Sequence, residues 1–245
     1  MTTAPSSMIR AGSLLHQHQF VSPAARSDPA YRLEALQRRH RACTRCVEAG
    51  WLPEARPVFS GHHGQRVMLV GQAPGPVEHD VGQPFSGRAG RQLMRWLQRA
   101  GFAGEDDARR RIYFISATTC FPGRRPDGAG DRRPTPREVA ACAPWREEAM
   151  RLVDPPLVIP VGSLGLSLFL PGRLDEYVGR AVLPDGGDTP IPPDAATRRV
   201  LLPLPHPSGQ SRWLNDPGQA ALLDAALDRL RALVSWAERP APGVL

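Results

Sequence analysis

The sequence predicts an α/β fold: a three-layer αβα sandwich around a mainly parallel four-stranded sheet. Three observations carry that prediction. Four short apolar runs rich in β-branched residues are spaced along the chain, segments of helical periodicity lie between them, and loops dense in glycine, proline and charge follow three of the runs. Alternation of strand and helix favours parallel pairing, and in such sheets ligands bind beyond the carboxyl ends of the strands. A chain of 245 residues with 41% apolar content can bury one sizeable core.

Residues 1–28 are small, polar and proline-containing and are expected to be a flexible tail, without the long apolar stretch of a signal peptide. Asp28 and Pro29 open a helix that sets Tyr31, Leu33 and Leu36 on one face. The strand candidates are residues 67–70 (VMLV), 112–115 (IYFI), 157–161 (LVIPV) and 200–204 (VLLPL). Helices are expected over residues 89–100, 136–152, 164–170 and 217–236, the last with Leu222, Leu223, Ala226, Leu230 and Leu233 at three- and four-residue steps. Residues 29–238 are thus one expected domain, with a short tail over 239–245. Loops 71–87, 116–133 and 205–215 follow the first, second and fourth strands, at the end where a ligand would sit.

The net charge is +7, and all 31 basic residues are arginine. A polyanionic partner suits that charge, and guanidinium suits bidentate phosphate contacts. The absence of lysine excludes Schiff-base catalysis by a side-chain amine. No run approaches the roughly 18 apolar residues of a membrane span, so a soluble, cytoplasmic protein, most simply a monomer, is expected.

The four cysteines are Cys43 and Cys46 in CTRC, Cys120 after the second strand, and Cys142 in the following helix. Free buried thiols, disulfides and a redox pair are the plainer readings. The arrangement of one CxxC and two single cysteines suits a four-thiolate metal site better, and zinc and a 4Fe-4S cluster both accept four cysteines. Four thiolates leave zinc no open position for catalysis.

The stretch VMLVGQAPGPVEHDVGQPFSGRAG, residues 67–90, joins a buried strand to a loop with little apolar periodicity. A GQAPG turn at a strand end exposes consecutive backbone N–H groups, a nest able to receive a carbonyl oxygen or an anion. It is not a phosphate loop, which needs the lysine of GxxxxGK[ST]. Phe85, set among Gly82, Pro84 and Gly87, is either core or the wall of a flat pocket.

GQAPG, an acidic pair a few residues on, and GQPFSGRAG before an amphipathic helix resemble the first motif of the uracil-DNA glycosylase superfamily, closest to its iron–sulfur family four branch. LPHPSGQSRWLN, residues 204–215, resembles the second motif, an HPS followed by a DNA-penetrating loop, and the four cysteines match the same branch. The likeness spans residues 43–233. It implies a DNA glycosylase that flips and excises uracil in base excision repair, a 4Fe-4S cluster on Cys43, Cys46, Cys120 and Cys142, DNA as partner, and work at the nucleoid. Two positions depart from the branch: Gln72 stands where it has the glutamate of GEAPG, and Ser116 where it has the asparagine of TNVVKC. The KRRIH stretch of covalently trapping relatives is absent. Excision of hypoxanthine or xanthine, or a non-catalytic iron–sulfur DNA binder, are the alternatives.

By that resemblance Phe85 stacks on the flipped base, the backbone of Gln72 and Ala73 receives a base carbonyl, and Ser116 bonds the base edge. His206 donates to the leaving base. With Gln72 neutral, water activation falls first to Asp80, then Glu78, then His79, unless these residues only cap or solvate the loop. Ser208, Gln210, Arg212 and Trp213 would contact DNA, with Trp213 either a wedge or buried, and Arg88, Arg91, Arg124, Arg125, Arg132 and Arg133 would grip phosphates. Without lysine, the expected product is an intact abasic site.

Overall fold

The computed structural model describes residues 27–208 and 212–239; residues 1–26 of the expected tail lie outside it. Helix α1 (Pro29–Arg41) begins where Asp28 accepts the N–H of Ala30 at 2.9 Å and Pro29 presets the first turn. Asp28 thus belongs to the fold rather than to the tail. A short α2 (Arg45–Glu48) follows, and then strand β1 (Val67–Gly71). Helices α3 (Pro76–Val81), α4 (Arg88–Arg99) and α5 (Glu105–Arg111) lead into β2 (Ile112–Ser116). The chain continues through α6 (Pro136–Val153), β3 (Leu157–Pro160), α7 (Gly162–Leu166), β4 (Val200–Leu201) and α8 (Pro217–Ala237).

The sheet has the order β2-β1-β3-β4, with every pair parallel, as the alternation predicts. Every strand residue is buried. Both faces are therefore covered, which is why these strands read as continuous apolar runs rather than alternating ones. One helical group pairs α1 with α6; the other pairs α4 with α5 and α8. Trp96, Leu93 and Leu97 of α4 and Leu230 and Leu233 of α8 are almost wholly buried.

Two registers position the site. Gly71 pairs with Ser116, so the ends of β1 and β2 lie side by side. Beyond β4, Leu204 donates to the carbonyl of Pro160 at 2.9 Å and its own carbonyl accepts from Gly162 N, also at 2.9 Å, which carries the chain past β3 to His206.

Three helices escape the periodicity rule. In α5 the sequence EDDARRR has no apolar stripe, but acids fill its first turn and arginines its last, matching the helix dipole. Helix α3 lies inside the stretch expected to be loop, with Pro76 at its start and Gly82 ending it at φ 72°. Both are shorter than the window over which an apolar repeat is legible, as is α2.

Candidate active site

The carboxyl ends of β1 and β2 and the continuation of β4 surround a cavity of about 670 Å³, lined by Gln72, Ala73, Phe85, Ser116, His206 and Ser208, with residues of the loop that follows β2. The resemblance brought these six together, and they share one wall-to-wall space.

Phe85 takes φ 55°, one of two non-glycine residues in the left-handed region among the described residues. That conformation costs roughly 1–2 kcal/mol. Its surroundings enforce it. A Cβ on Gly90 would stand 1.8 Å from the Phe85 carbonyl oxygen, and one on Gly71 would stand 2.9 Å from the ring and 3.0 Å from Ser116 Oγ. The ring tilts against Phe114 at 5.9 Å, half-buried with the cavity alongside. Arg109 donates to the carbonyl of Pro84 at 3.0 Å and lies over Phe114, pinning the turn from behind.

Glu78 is buried, with its carboxylate accepting from Gly75 N at 3.1 Å and from Gly87 N at 2.7 Å. One side chain thereby ties the two ends of the loop together. The structure does not bring Asp80 to the cavity wall. Two residues along a helix differ by about 200° in direction, so with Glu78 facing inward Asp80 is exposed and lies off the cavity wall. His79 is also off the wall, with Nε2 3.3 Å from Glu54.

His206 packs on Gly162, where a Cβ would come within 3.2 Å of its own Cβ and 3.3 Å of Cδ2. The N–H of Ser208 donates to Nδ1 at 3.2 Å, and Ser208 Oγ lies 2.9 Å from the same atom. With Nδ1 accepting, the neutral ring carries its proton on Nε2. Burial holds the pKa below its usual value, so the imidazole is neutral at physiological pH.

The loop after β2 folds into a small hairpin. Arg125 N donates to Gly130 O at 2.8 Å and Arg132 N to Gly123 O at 3.0 Å, so Arg124 and Asp131 face each other across it. Arg124, Asp131 and Arg132 line the cavity, as does Arg88 from α4. Arg125 is exposed and paired with Asp127 within the same turn, away from the cavity wall, and Arg91 and Arg133 are off it too. Asp131 was not anticipated. The signal for it was the Pro126-Asp127-Gly128 turn, which folds the flanking arginine pairs back on each other. Trp213 is half-buried against the core with its Nε1 buried. Gln210 and the Arg212 side chain lie outside the described residues.

The four cysteines are free thiols that come together from α2, the segments after α1 and β2, and the middle of α6. Burial first, and then the neighbouring thiols, push Cys46 up to about 11 and Cys120 up to about 12. Trp145 Nε1 donates to Cys43 Sγ at 3.3 Å, Thr119 Oγ1 lies 3.7 Å from Cys142 Sγ, and the N–H of Arg56 bonds Cys120. His40, stacked between Phe59 and Trp145, closes this corner, its pKa lowered by burial to about 3. Among the described residues, no group of three or more His, Cys, Asp or Glu side chains is arranged to hold a metal ion.

Fold and cavity define a class: a parallel α/β protein whose binding site, at the carboxyl ends of its strands, is walled by one strained aromatic residue and one neutral, half-buried imidazole. A family model of the uracil DNA glycosylase superfamily matches residues 59–231. The type-4 uracil-DNA glycosylase of Thermotoga maritima is 30% identical over 142 residues, covering 58% of this chain and 67% of that one. The type-4 enzyme of Pyrobaculum aerophilum is 29% identical over 149 residues, covering 60% and 70% respectively. The type-5 uracil-DNA glycosylase of Thermus thermophilus is 32% identical over 127 residues, covering 47% and 55%. The chain belongs to the uracil DNA glycosylase superfamily. No described helix is long and apolar enough to cross a membrane.

Proposed function

We propose that the protein is a monofunctional DNA glycosylase that hydrolyses the N-glycosidic bond of uracil in DNA. The observation that carries this reading is the meeting of His206, Phe85 and Ser116 around one cavity. A flipped base would stack on Phe85, present a carbonyl to the backbone of Gln72 and Ala73, and meet Ser116 at its edge. Breaking the bond leaves negative charge on the departing base. A neutral imidazole with its proton on Nε2 is a donor already aimed and already desolvated, the kind of group worth several kcal/mol as charge develops. Arg88 and Arg124 at the rim would hold phosphates of the flanking strand.

The cysteine corner would hold a 4Fe-4S cluster on Cys43, Cys46, Cys120 and Cys142. The donor set supports it: four sulfurs, with N–H and O–H groups directed at three of them. When bound, such a cluster would join α2, α6 and the segments after α1 and β2, and supply no step of the hydrolysis.

The test incubates the purified chain with duplexes carrying uracil, hypoxanthine, xanthine or a thymine mismatch. Uracil release, with the strand cut only after alkali, is the expected result; release of hypoxanthine or xanthine instead reassigns the substrate, and no release from any duplex overturns the enzyme reading. A brown protein with iron and sulfide in equal amounts supports the cluster, and a colourless zinc protein sinks it.

A further inference from the structure

A carboxylate that takes a proton from water would speed hydrolysis by this site, and Gln72 cannot be that group. Resting on the glycosylase reading above, we infer that Asp131, in the hairpin after β2, is the carboxylate that activates the water. Two carboxylates line the cavity among the described residues, Glu78 and Asp131. Both oxygens of Glu78 are taken by backbone N–H groups of Gly75 and Gly87. Asp131 stands across the GQAPG turn, its Oδ2 3.4 Å from where a Cβ on Gly75 would sit. Its ion-pair partner is Arg124, at a loose 3.7 Å, which leaves an oxygen able to accept from water. The surroundings favour a base. Asp131 is exposed at the rim of the cavity, and the desolvation that remains there, with Glu78 nearby, raises its pKa against the opposing pull of Arg124.

In the reaction, the oxygen of water bonds to the anomeric carbon as the carbon–nitrogen bond breaks. The electron pair of that bond leaves with the base, whose charge His206 meets. One water proton passes to Asp131 and returns through solvent to the released base, so the products are the free base and an abasic sugar with a new hydroxyl.

The experiment measures single-turnover excision from a uracil duplex, and affinity for the same duplex, in wild type, D131N, D131E and D80N. D131N should lose about 10²-fold or more in rate with affinity unchanged, D131E should recover part of the loss, and D80N should match wild type. A wild-type rate in D131N overturns the assignment, as does a D131N defect that lies wholly in affinity or is matched by an equal loss in melting temperature. If D131N does not fold, D131E decides: a partial loss of rate at unchanged affinity keeps the assignment, whereas a wild-type rate, a complete loss, or a loss of affinity alone overturns it. A wild type that releases no base from any duplex overturns the glycosylase reading itself, a result distinct from an active wild type matched by its variants.

Discussion

The loops after β1 and β2 face the same cavity and are held in opposite ways. The first is tied from inside: Glu78 clasps Gly75 and Gly87, Arg109 holds Pro84, and Gly90 leaves room for a strained Phe85. The second is anchored at its ends and tied to itself at its tip, where Arg125 pairs with Asp127. Its base is fixed by Arg132 and Glu138, which share two hydrogen bonds of 2.8 and 2.5 Å. Arg132 holds the Glu138 carboxyl down at about 2. On the function proposed above, positioning a planar base calls for a rigid wall, and the first loop is braced accordingly.

The largest expected effect on this comparison comes from the rigid side. His206→Ala should cut single-turnover excision by about 10²–10³-fold without lowering the melting temperature. Glu78→Ala should cost about 2–3 kcal/mol of unfolding free energy by urea titration, because two N–H groups lose a charged acceptor; excision should fall with it. Phe85→Leu keeps an apolar side chain and loses the flat face, and should weaken affinity for a uracil duplex about tenfold, the usual scale of base stacking. On the second loop, substitutions of its arginines should have small effects. Arg124→Ala should flatten the dependence of log affinity on log salt by about one contact, while Arg125→Ala leaves the slope unchanged. Equal slopes for the two would erase the distinction drawn between hairpin flank and tip.

Much of the fold was legible because strands buried on both faces need apolar side chains at every position, and those four runs announce themselves. The cysteines were legible as a set from spacing alone. What escaped were relations that depend on angle or on chain reversal. Asp80 ranked ahead of Glu78 when both were read as neighbours in a loop; on a helix, Glu78 is buried and Asp80 exposed. Asp131 was hidden because its importance comes from Arg124, seven positions away, and from Gly75, on another strand's loop. The register that sets Gly71 beside Ser116 is likewise a property of strand pairing that no single run of residues reveals.

That pairing has a practical side for anyone redesigning the substrate range. Behind the cavity wall, adding bulk at Gly71 would drive into Phe85 and Ser116, so that position works as a fixed gauge. Ser116, which lines the cavity, is the adjustable one: a longer side chain there should narrow the chamber.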